Sequence, residues 1–317
     1  MSAAMTCRPP QPMKKPEHNY EIAHVAGTLG GALPGQLVVL AQEGRQLQGL
    51  EVMGQQAARL KFHGVGLLEI PLLRPGEIDT KATRDFAREF GFDLVASLGL
   101  PWAIDVVADP DAGLAFLEPA FTVCKAVGSK ALSGVTYATI GRTSGQPATT
   151  REKDGICRFL QRGAALAANY GLKLGIEPCN RYETHLMNTA AQAVEYVEAV
   201  GAPNLFIHLD TYHMNIEEVS FAAGFAKAAP YLGYVHLSES NRGVPGRGTL
   251  NWPEVMQALC DIGYDGALTL ESMNHVDRDI ASGLAIWRPV AGNPDDVIDA
   301  GLEFLRQQAA AANLDLG

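Results

Sequence analysis

Eight short apolar runs, each followed by an amphipathic run, place the strongest limit on how this chain can fold. The apolar runs cover residues 22–29, 65–73, 93–100, 131–138, 172–179, 205–212, 232–239 and 266–272. Several amphipathic runs end at a glycine that leads into the next apolar run, as in YGLKLGIE and IGYDGALTL, and glycine is the usual residue at a helix end. Strands that alternate with helices predict an α/β fold with a parallel sheet, and eight such units close naturally into a single (β/α)8 TIM barrel.

The 317-residue length suits one barrel and leaves no segment large enough for a second domain. We expect the barrel to cover residues 19–317, with a helix near the C-terminus that packs on the outside. The first 18 residues, MSAAMTCRPPQPMKKPEH, contain prolines and lysines but no apolar centre. They are therefore predicted to form a disordered leader and not a secretory signal.

Composition excludes several classes of partner. The net charge of −10 disfavours binding to nucleic acid or to anionic lipid. No apolar run approaches the length needed to cross a bilayer, so we expect no membrane partner. The five cysteines are scattered and contain no C-x-x-C pair, which is typical of a reduced, cytoplasmic protein.

Four polar side chains stand out at the ends of the last four predicted strands: Glu177, Asp210, His236 and Glu271. In each strand the aliphatic residues occupy every second position, and the polar residue occupies one of the positions between them. Side chains alternate across a strand, so each polar side chain is expected to point into the barrel while the aliphatic ones face the outer helices. Neighbouring members of the set are about one βα unit apart. Active sites of barrels lie at the carboxyl ends of the strands, and the pattern therefore predicts that the four side chains converge.

Three buried carboxylates in one place repel one another, and a divalent cation would relieve that repulsion. Three carboxylates and one imidazole favour Mn²⁺, Mg²⁺ or Co²⁺ over a structural zinc. Taken singly, each residue has an ordinary structural explanation. Asp210 could cap a turn and His236 could be a hydrogen-bonded core histidine. The matching parity and spacing of all four favour a metal site.

Longer motifs in the same half carry a family resemblance. GIEPCNRYETHL, HLDTYHMNIEE, VHLSESNRGVPGRGTLNW, LTLESM and AIWRP resemble the ketose 3-epimerases of the xylose isomerase-like barrel superfamily. The resemblance runs from about residue 150 to the C-terminus. Before that point only fragments such as LLEIPLL and SLGL match.

The resemblance implies an activity and a set of residues. The metal ligands would be Glu177, Asp210, His236 and Glu271, with Mn²⁺ as the expected ion and Co²⁺ or Mg²⁺ as alternatives. Glu177 and Glu271 would also act as acid and base. Glu183, His213 and Arg242 would hold a free ketose such as D-tagatose, D-fructose, D-allulose or L-ribulose. The relatives further imply a homodimer or homotetramer.

Other polar residues receive plainer interpretations. Cys179 is expected to pack, and His208 is expected to be a core or supporting group. The first strand (AGTLGG) lacks the aromatic residues of the relatives, and TYATIGRTSG lacks their tryptophan, so the outer end of the substrate site should differ.

Alternative activities remain open within the same superfamily. A sugar-phosphate epimerase or isomerase would need a basic cluster, for which Arg142 with the residues that follow it is the candidate. Hydroxypyruvate isomerase is another member of this class. An inosose dehydratase-like lyase would expel water from a similar centre. Outside this sugar chemistry, an apurinic endonuclease is disfavoured by the acidic surface, and a non-catalytic sugar-binding barrel would not need two opposed carboxylates.

Overall fold

The computed structural model describes residues 22–25, 57–72, 74–273, 284–293 and 295–314. Within them, eight parallel strands form a closed barrel in which each strand pairs with the next and β8 pairs with β1. The strands are β1 (Ile22–Val25), β2 (Leu67–Pro71), β3 (Asp93–Gly99), β4 (Ala131–Val135), β5 (Lys173–Ile176), β6 (Leu205–Asp210), β7 (Leu232–Ser238) and β8 (Ala267–Glu271). The predicted α/β barrel is thus confirmed. The predicted leader lies outside the described residues.

Helices follow the strands and surround the barrel. Those with defined bounds are α1 (Thr80–Phe90), α2 (Pro110–Val127), α3 (Thr150–Asn169), α4 (Ala190–Val200), α5 (Thr211–Glu217), α6 (Phe221–Ala228), α7 (Trp252–Asp261) and α8 (Asp295–Ala311). Residues 57–62 are also helical, and Pro75–Glu77 forms a 3₁₀ turn. Among the described residues, no helix is both long enough and apolar enough to cross a bilayer.

Local sequence explains where these helices start and stop. The side chain of Thr149 accepts a hydrogen bond from the Glu152 amide, and the Glu152 carboxylate accepts one from the Thr149 amide. Thr189 and Gln192 make the same reciprocal pair at the start of α4. Such capping boxes satisfy amides that have no partner inside the helix. Helix α4 then ends at Gly201, whose φ of 65° lies in the left-handed region that glycine adopts without strain.

The barrel interior changes character along its axis. Near the amino ends of the strands, Val95, Phe206 and Tyr234 form a small buried apolar cluster. Gly175 allows this packing, because a Cβ atom there would lie only 2.6 Å from the Phe206 ring. Above this layer lie buried polar side chains, which include Glu69, His236 and Thr269. The apolar plug therefore closes one end of the barrel and leaves the polar groups facing the carboxyl end.

Candidate active site

The four predicted ligands lie at the carboxyl ends of consecutive strands. Glu177 directly follows β5, Asp210 ends β6, His236 lies within β7 and Glu271 ends β8. All four are buried, and their exposed fractions range from 1% for Asp210 to 8% for Glu177. A charged group is this well buried only when it is paired or coordinated.

Three overlapping groups of these side chains could hold a metal ion. Asp210, His236 and Glu271 each offer a ligand atom, and the three atoms lie within 4.8 Å of one another. Glu177 meets the same criterion with His236 and His208, and in another combination with His213 and Cys179. His236 therefore shares one candidate ligand group with Glu177 and another with Asp210 and Glu271. A donor set of carboxylates and imidazole suits a divalent cation.

The hydrogen bonding of His236 fits a ligand role. Its Nε2 lies 2.7 Å from Oε2 of Glu69, while its buried Nδ1 has no hydrogen-bond partner in the part of the chain that the structure describes and lies 3.4 Å from Oε1 of Glu271. Burial disfavours the charged imidazole, but the Glu69 and Glu271 carboxylates raise the pKa of His236 well above its ordinary value. A proton and a metal cation bind the same Nδ1 lone pair. The negative charge of Glu69 and Glu271, which favours the proton, would also favour a cation at this nitrogen.

Glu69 is a part of the site that the sequence analysis did not identify. Its carboxylate accepts hydrogen bonds from Ser97 Oγ at 2.5 Å and from the Tyr234 hydroxyl at 2.6 Å. Burial raises the pKa of Glu69, but attraction to His236 together with the hydrogen bonds from His236, Ser97 and Tyr234 exceeds that effect and lowers the pKa overall. The sequence signal for Glu69 was a single charged residue within the apolar run LLEIP, at a position expected to point into the barrel. A carboxylate behind a histidine ligand fixes its tautomer and orientation.

Glu177 and Glu271 lie in unlike electrostatic surroundings. Burial, with further repulsion from Asp210 and Glu271, raises the pKa of Glu177 well above its ordinary value. For Glu271 the effect of burial is exceeded by attraction to Arg242 and His236, which lowers its pKa. Two carboxyl groups in one cavity with pKa values moved in opposite directions are the usual mark of an acid and a base.

Arg242 joins these carboxylates. Its Nη1 lies 2.5 Å from Oδ2 of Asp210 and also contacts Oε2 of Glu271. The guanidinium packs over the Tyr212 ring, with its Cζ 4.1 Å from the ring centre. The backbone of Arg242 has φ of 60°, which is unusual for a residue with a Cβ. Its carbonyl accepts a hydrogen bond from the Met273 amide, so the strained conformation ties the β7 loop to the end of β8.

His213 and Glu183 complete the predicted substrate-holding set, and Asn180 connects them. The Asn180 amide donates to Nδ1 of His213 at 3.1 Å, and its side chain donates to Glu183 at 2.8 Å. Burial lowers the pKa of His213 to about 3, so the ring is neutral. Its Nε2 lies 3.7 Å from Oε1 of Glu177 and 3.2 Å from Nη2 of Arg242. The structure therefore places His213 and Arg242 beside the carboxylates and links Glu183 to His213 through Asn180.

A cavity of about 630 Å³ opens at this end of the barrel. Glu69, Glu177, His236 and Glu271 line one part of it, and the remaining wall is mainly apolar, with Leu100, Trp102, Val135, Ile140 and Leu284. The polar part comes mostly from the later strands and the apolar part from the loops after β3 and β4. A concave site with a few convergent polar groups is the usual form of a small-molecule site.

Comparison with known proteins gives this arrangement a family. A profile of the family described as Xylose isomerase-like TIM barrel matches residues 54–308. The chain belongs to this family. An L-ribulose 3-epimerase from Methylomonas sp. (strain DH-1) is 38% identical over 251 residues, which cover 77% of this chain and 87% of that protein. A ketose 3-epimerase from Arthrobacter globiformis is 36% identical over 254 residues, covering 78% and 88% of the two chains.

A solved structure supports the same relationship. The crystal structure of a D-allulose 3-epimerase from Methylomonas sp. in complex with D-allulose superimposes with a TM-score of 0.81 at 34% identity. The superposition covers 92% of this chain and 97% of that one. The resemblance to ketose 3-epimerases that the motifs indicated is thus confirmed, and it extends beyond the second half into the first.

Proposed function

We propose that this protein catalyses the epimerisation of free ketoses at C3 and that it depends on a divalent metal. The observation that carries the proposal is the placement of Glu177 and Glu271. They come from strands separated by β6 and β7, they line the same cavity, and their pKa values are moved in opposite directions. Epimerisation at C3 needs one group to remove a proton and another to return a proton to the opposite face.

The reaction follows from this pair. The C3 proton of a ketose is acidified by the neighbouring C2 carbonyl, so a carboxylate can remove it to give an enediolate. Glu271, whose pKa is lowered, is suited to take a proton, and Glu177, whose pKa is raised, is suited to hold one and give it. Return of a proton to the other face of C3 produces the epimer. After the reaction Glu271 carries the proton and Glu177 is ionised. In the reverse direction Glu177 therefore acts as the base and Glu271 as the acid.

Asp210, His236, Glu271 and Glu177 would hold the metal, and Mn²⁺ is the ion we propose. The unpartnered Nδ1 of His236 and the grouping of the carboxylate oxygens support this assignment. When bound, a divalent cation polarises a carbonyl and stabilises an enediolate. The surrounding side chains keep the ligands oriented, above all Glu69 behind His236.

The substrate would be held from a second side by His213, Arg242 and Glu183. Nδ1 of His213 accepts from the Asn180 amide, and its Nε2, 3.2 Å from Nη2 of Arg242, would hydrogen-bond a ketose oxygen beside that guanidinium. Arg242 offers positive charge beside oxygens that become more negative in the enediolate. Glu183 is buried, and burial raises its pKa, so it can carry a proton and donate to a sugar hydroxyl.

Free ketoses are favoured over sugar phosphates. The similar proteins carry names such as L-ribulose 3-epimerase and D-psicose 3-epimerase. Arg142, the candidate for a phosphate site, instead donates to the carbonyl oxygens of Trp102 and Ile104 and lies 3.7 Å from Asp105. Its guanidinium is thus engaged within the protein. A homo-oligomer and a cytoplasmic location stay predictions.

The direct test is exchange with heavy water. The purified protein with Mn²⁺ would be incubated in D₂O with D-fructose, D-tagatose, D-allulose and L-ribulose, alongside their phosphorylated forms, and followed by NMR. We expect deuterium at C3 and formation of the C3 epimer for at least one free ketose. Deuterium at C1 would indicate an aldose–ketose isomerase, a dehydrated product would indicate a lyase, and turnover of phosphorylated sugars alone would overturn the choice of substrate class.

A further inference from the structure

His208 is completely buried, yet it has no hydrogen-bond partner among the described residues. Its exposed fraction is 0%, and neither Nδ1 nor Nε2 is hydrogen-bonded within the described part of the chain. An unpaired polar group in a protein interior costs free energy, and such groups are rare unless they have a role. The reaction proposed above gives this imidazole no task.

The surroundings of His208 hold the ring in place. It lies two residues before Asp210 on the inward side of β6, with its ring centre 4.0 Å from that of His236 and 4.6 Å from that of Tyr234. The pairing of β6 with β7 shifts register between Ile207 and His208. Register shifts of this kind change the direction of a side chain and are common next to active sites. The shift thus lies directly before His208.

Glu177 is the acidic group that His208 faces. Nδ1 of His208 lies 3.6 Å from Oε2 of Glu177, slightly beyond hydrogen-bond distance. A rotation of the carboxylate that moves this oxygen by less than about 1 Å would close the bond. Catalytic hydrogen bonds are often long in ligand-free structures and tighten when the substrate binds.

We propose that His208 is a positioning residue for Glu177, which it would orient by donating Nδ1–H to Oε2 once substrate is bound. The inference rests on the proposed acid and base role of Glu177. It explains why an imidazole occupies a site where packing alone would favour an apolar side chain. Phe206, two residues earlier on the same face of β6, shows that this strand accepts apolar residues inside the barrel.

Stability and turnover should therefore respond to substitution in opposite directions. His208→Leu removes two unsatisfied polar atoms, so the metal-free protein should keep its apparent Tm or gain a few degrees. The same variant removes the donor to Glu177, so kcat for deuterium exchange at C3 should fall by about 10-fold to 100-fold, with KM changed much less. His208→Gln, whose amide can donate, should recover part of kcat.

The matched control is Ser133→Ala. Ser133 Oγ is also buried without a hydrogen-bond partner within the described ranges, but it lies in β4 and is not among the residues that line the cavity. Its loss should preserve stability as His208→Leu does, while kcat stays at the wild-type value. Mn²⁺ affinity, measured by calorimetry, should fall less than kcat in His208→Leu because Asp210, His236 and Glu271 are untouched.

Several results would overturn the inference. These are a His208→Leu kcat within about twofold of wild type, a loss of Mn²⁺ affinity as large as the loss of kcat, or a glutamine variant no better than leucine. If the leucine variant fails to fold, His208→Gln is the deciding variant. A His208→Gln protein with wild-type kcat and a lowered Tm would show that His208 has only a structural role. Absence of C3 exchange in the wild-type enzyme would instead refute the proposed function, and this inference with it.

Discussion

The carboxyl ends of the last four strands differ sharply from those of β2 to β4, although both are built from the same βα unit. From β5 to β8 the cavity is formed by buried charges that contact one another. After β3 and β4 it is formed by Leu100, Trp102, Val135 and Ile140. The charged half can hold a metal and move protons, while the wall from β2 to β4, in which Arg74 and Thr139 lie beside the apolar groups, contacts the rest of a ligand. One half therefore determines the reaction and the other limits which substrate fits.

The two halves should also differ in how they respond to change. A buried charge is stable only with its partners, and removal of one partner leaves the others uncompensated. Arg242, Asp210 and Glu271 are linked in this way. The apolar wall contributes through contact area, which changes in small steps of free energy. We thus expect substitutions in the charged half to have large effects on turnover, and substitutions in the apolar wall to have small effects on KM.

The largest effect is expected from the proposed acid and base. Glu177→Gln and Glu271→Gln each keep the shape of the side chain but remove its ability to exchange a proton. Deuterium incorporation at C3 should fall by about 10²-fold to 10⁴-fold. Glu218→Gln, which changes a half-buried glutamate that accepts the Ala190 amide at the start of α4, serves as the control. Wild-type turnover in either active-site variant would remove the basis of the comparison.

Metal binding should stabilise the charged half. Burial of the Glu177, Asp210 and Glu271 carboxylates is compensated in the described structure in part by Arg242, and a divalent cation would add to that compensation. At a Mn²⁺ concentration 100 times the Kd, binding contributes about 2.7 kcal/mol, so the apparent Tm should rise by several degrees and fall again with EDTA. Asp210→Asn should abolish most of this rise. An unchanged Tm in Mn²⁺ titrations would contradict the proposed ligand set.

Glu69 sharpens the comparison because it comes from β2 but contacts His236 across the barrel. Glu69→Gln replaces the carboxylate with an amide that cannot fix the His236 tautomer as well. Mn²⁺ affinity in calorimetry should fall by about 10-fold to 100-fold. Ser97→Ala removes one of the hydrogen bonds to Glu69 and should have a smaller effect. Equal affinities for wild type and Glu69→Gln would mean that the His236 orientation does not depend on this carboxylate.

The case of Glu69 also shows what the sequence can and cannot reveal. The barrel was predictable because strand length, helix periodicity and terminal glycines are local signals. The placement of Asp210 and Glu271 was predictable because the parity of a strand determines the side of the barrel that a residue faces. Glu69 was missed because its role depends on a contact with a residue far along the chain, and no local pattern records which inward side chains meet across the barrel.

The wall of the cavity was harder still to predict. The sequence lacks the aromatic residue expected after β4, and the structure instead contributes Trp102 from the loop after β3. The position of Trp102 depends on Arg142, which lies 5.3 Å from the ring centre and donates to the Trp102 carbonyl. Two loops that are distant in sequence must therefore pack before this wall exists.

The smallest effect is expected from this wall. The Trp102 ring is 64% exposed at the edge of the cavity, where it can cover the end of a ketose farthest from C3. Covering about 40 Å² of apolar surface is worth about 1 kcal/mol, which is about fivefold in affinity. Trp102→Ala should therefore raise KM for a six-carbon ketose about fivefold, raise it less for a five-carbon ketose, and leave kcat nearly unchanged.

Trp102→Phe and Phe62→Ala separate this effect from others. The first keeps an aromatic surface at the same place and should retain most of the KM. The second removes a ring that is 84% exposed on the outer helical segment of residues 57–62, so kinetics should not change. A Trp102→Ala variant with reduced kcat and normal KM would show that the apolar half also controls the proton transfer, and the division of labour between the two halves would be wrong. Equal increases of KM for both sugar lengths would place Trp102 beside C1 to C3 and not at the outer end of the substrate.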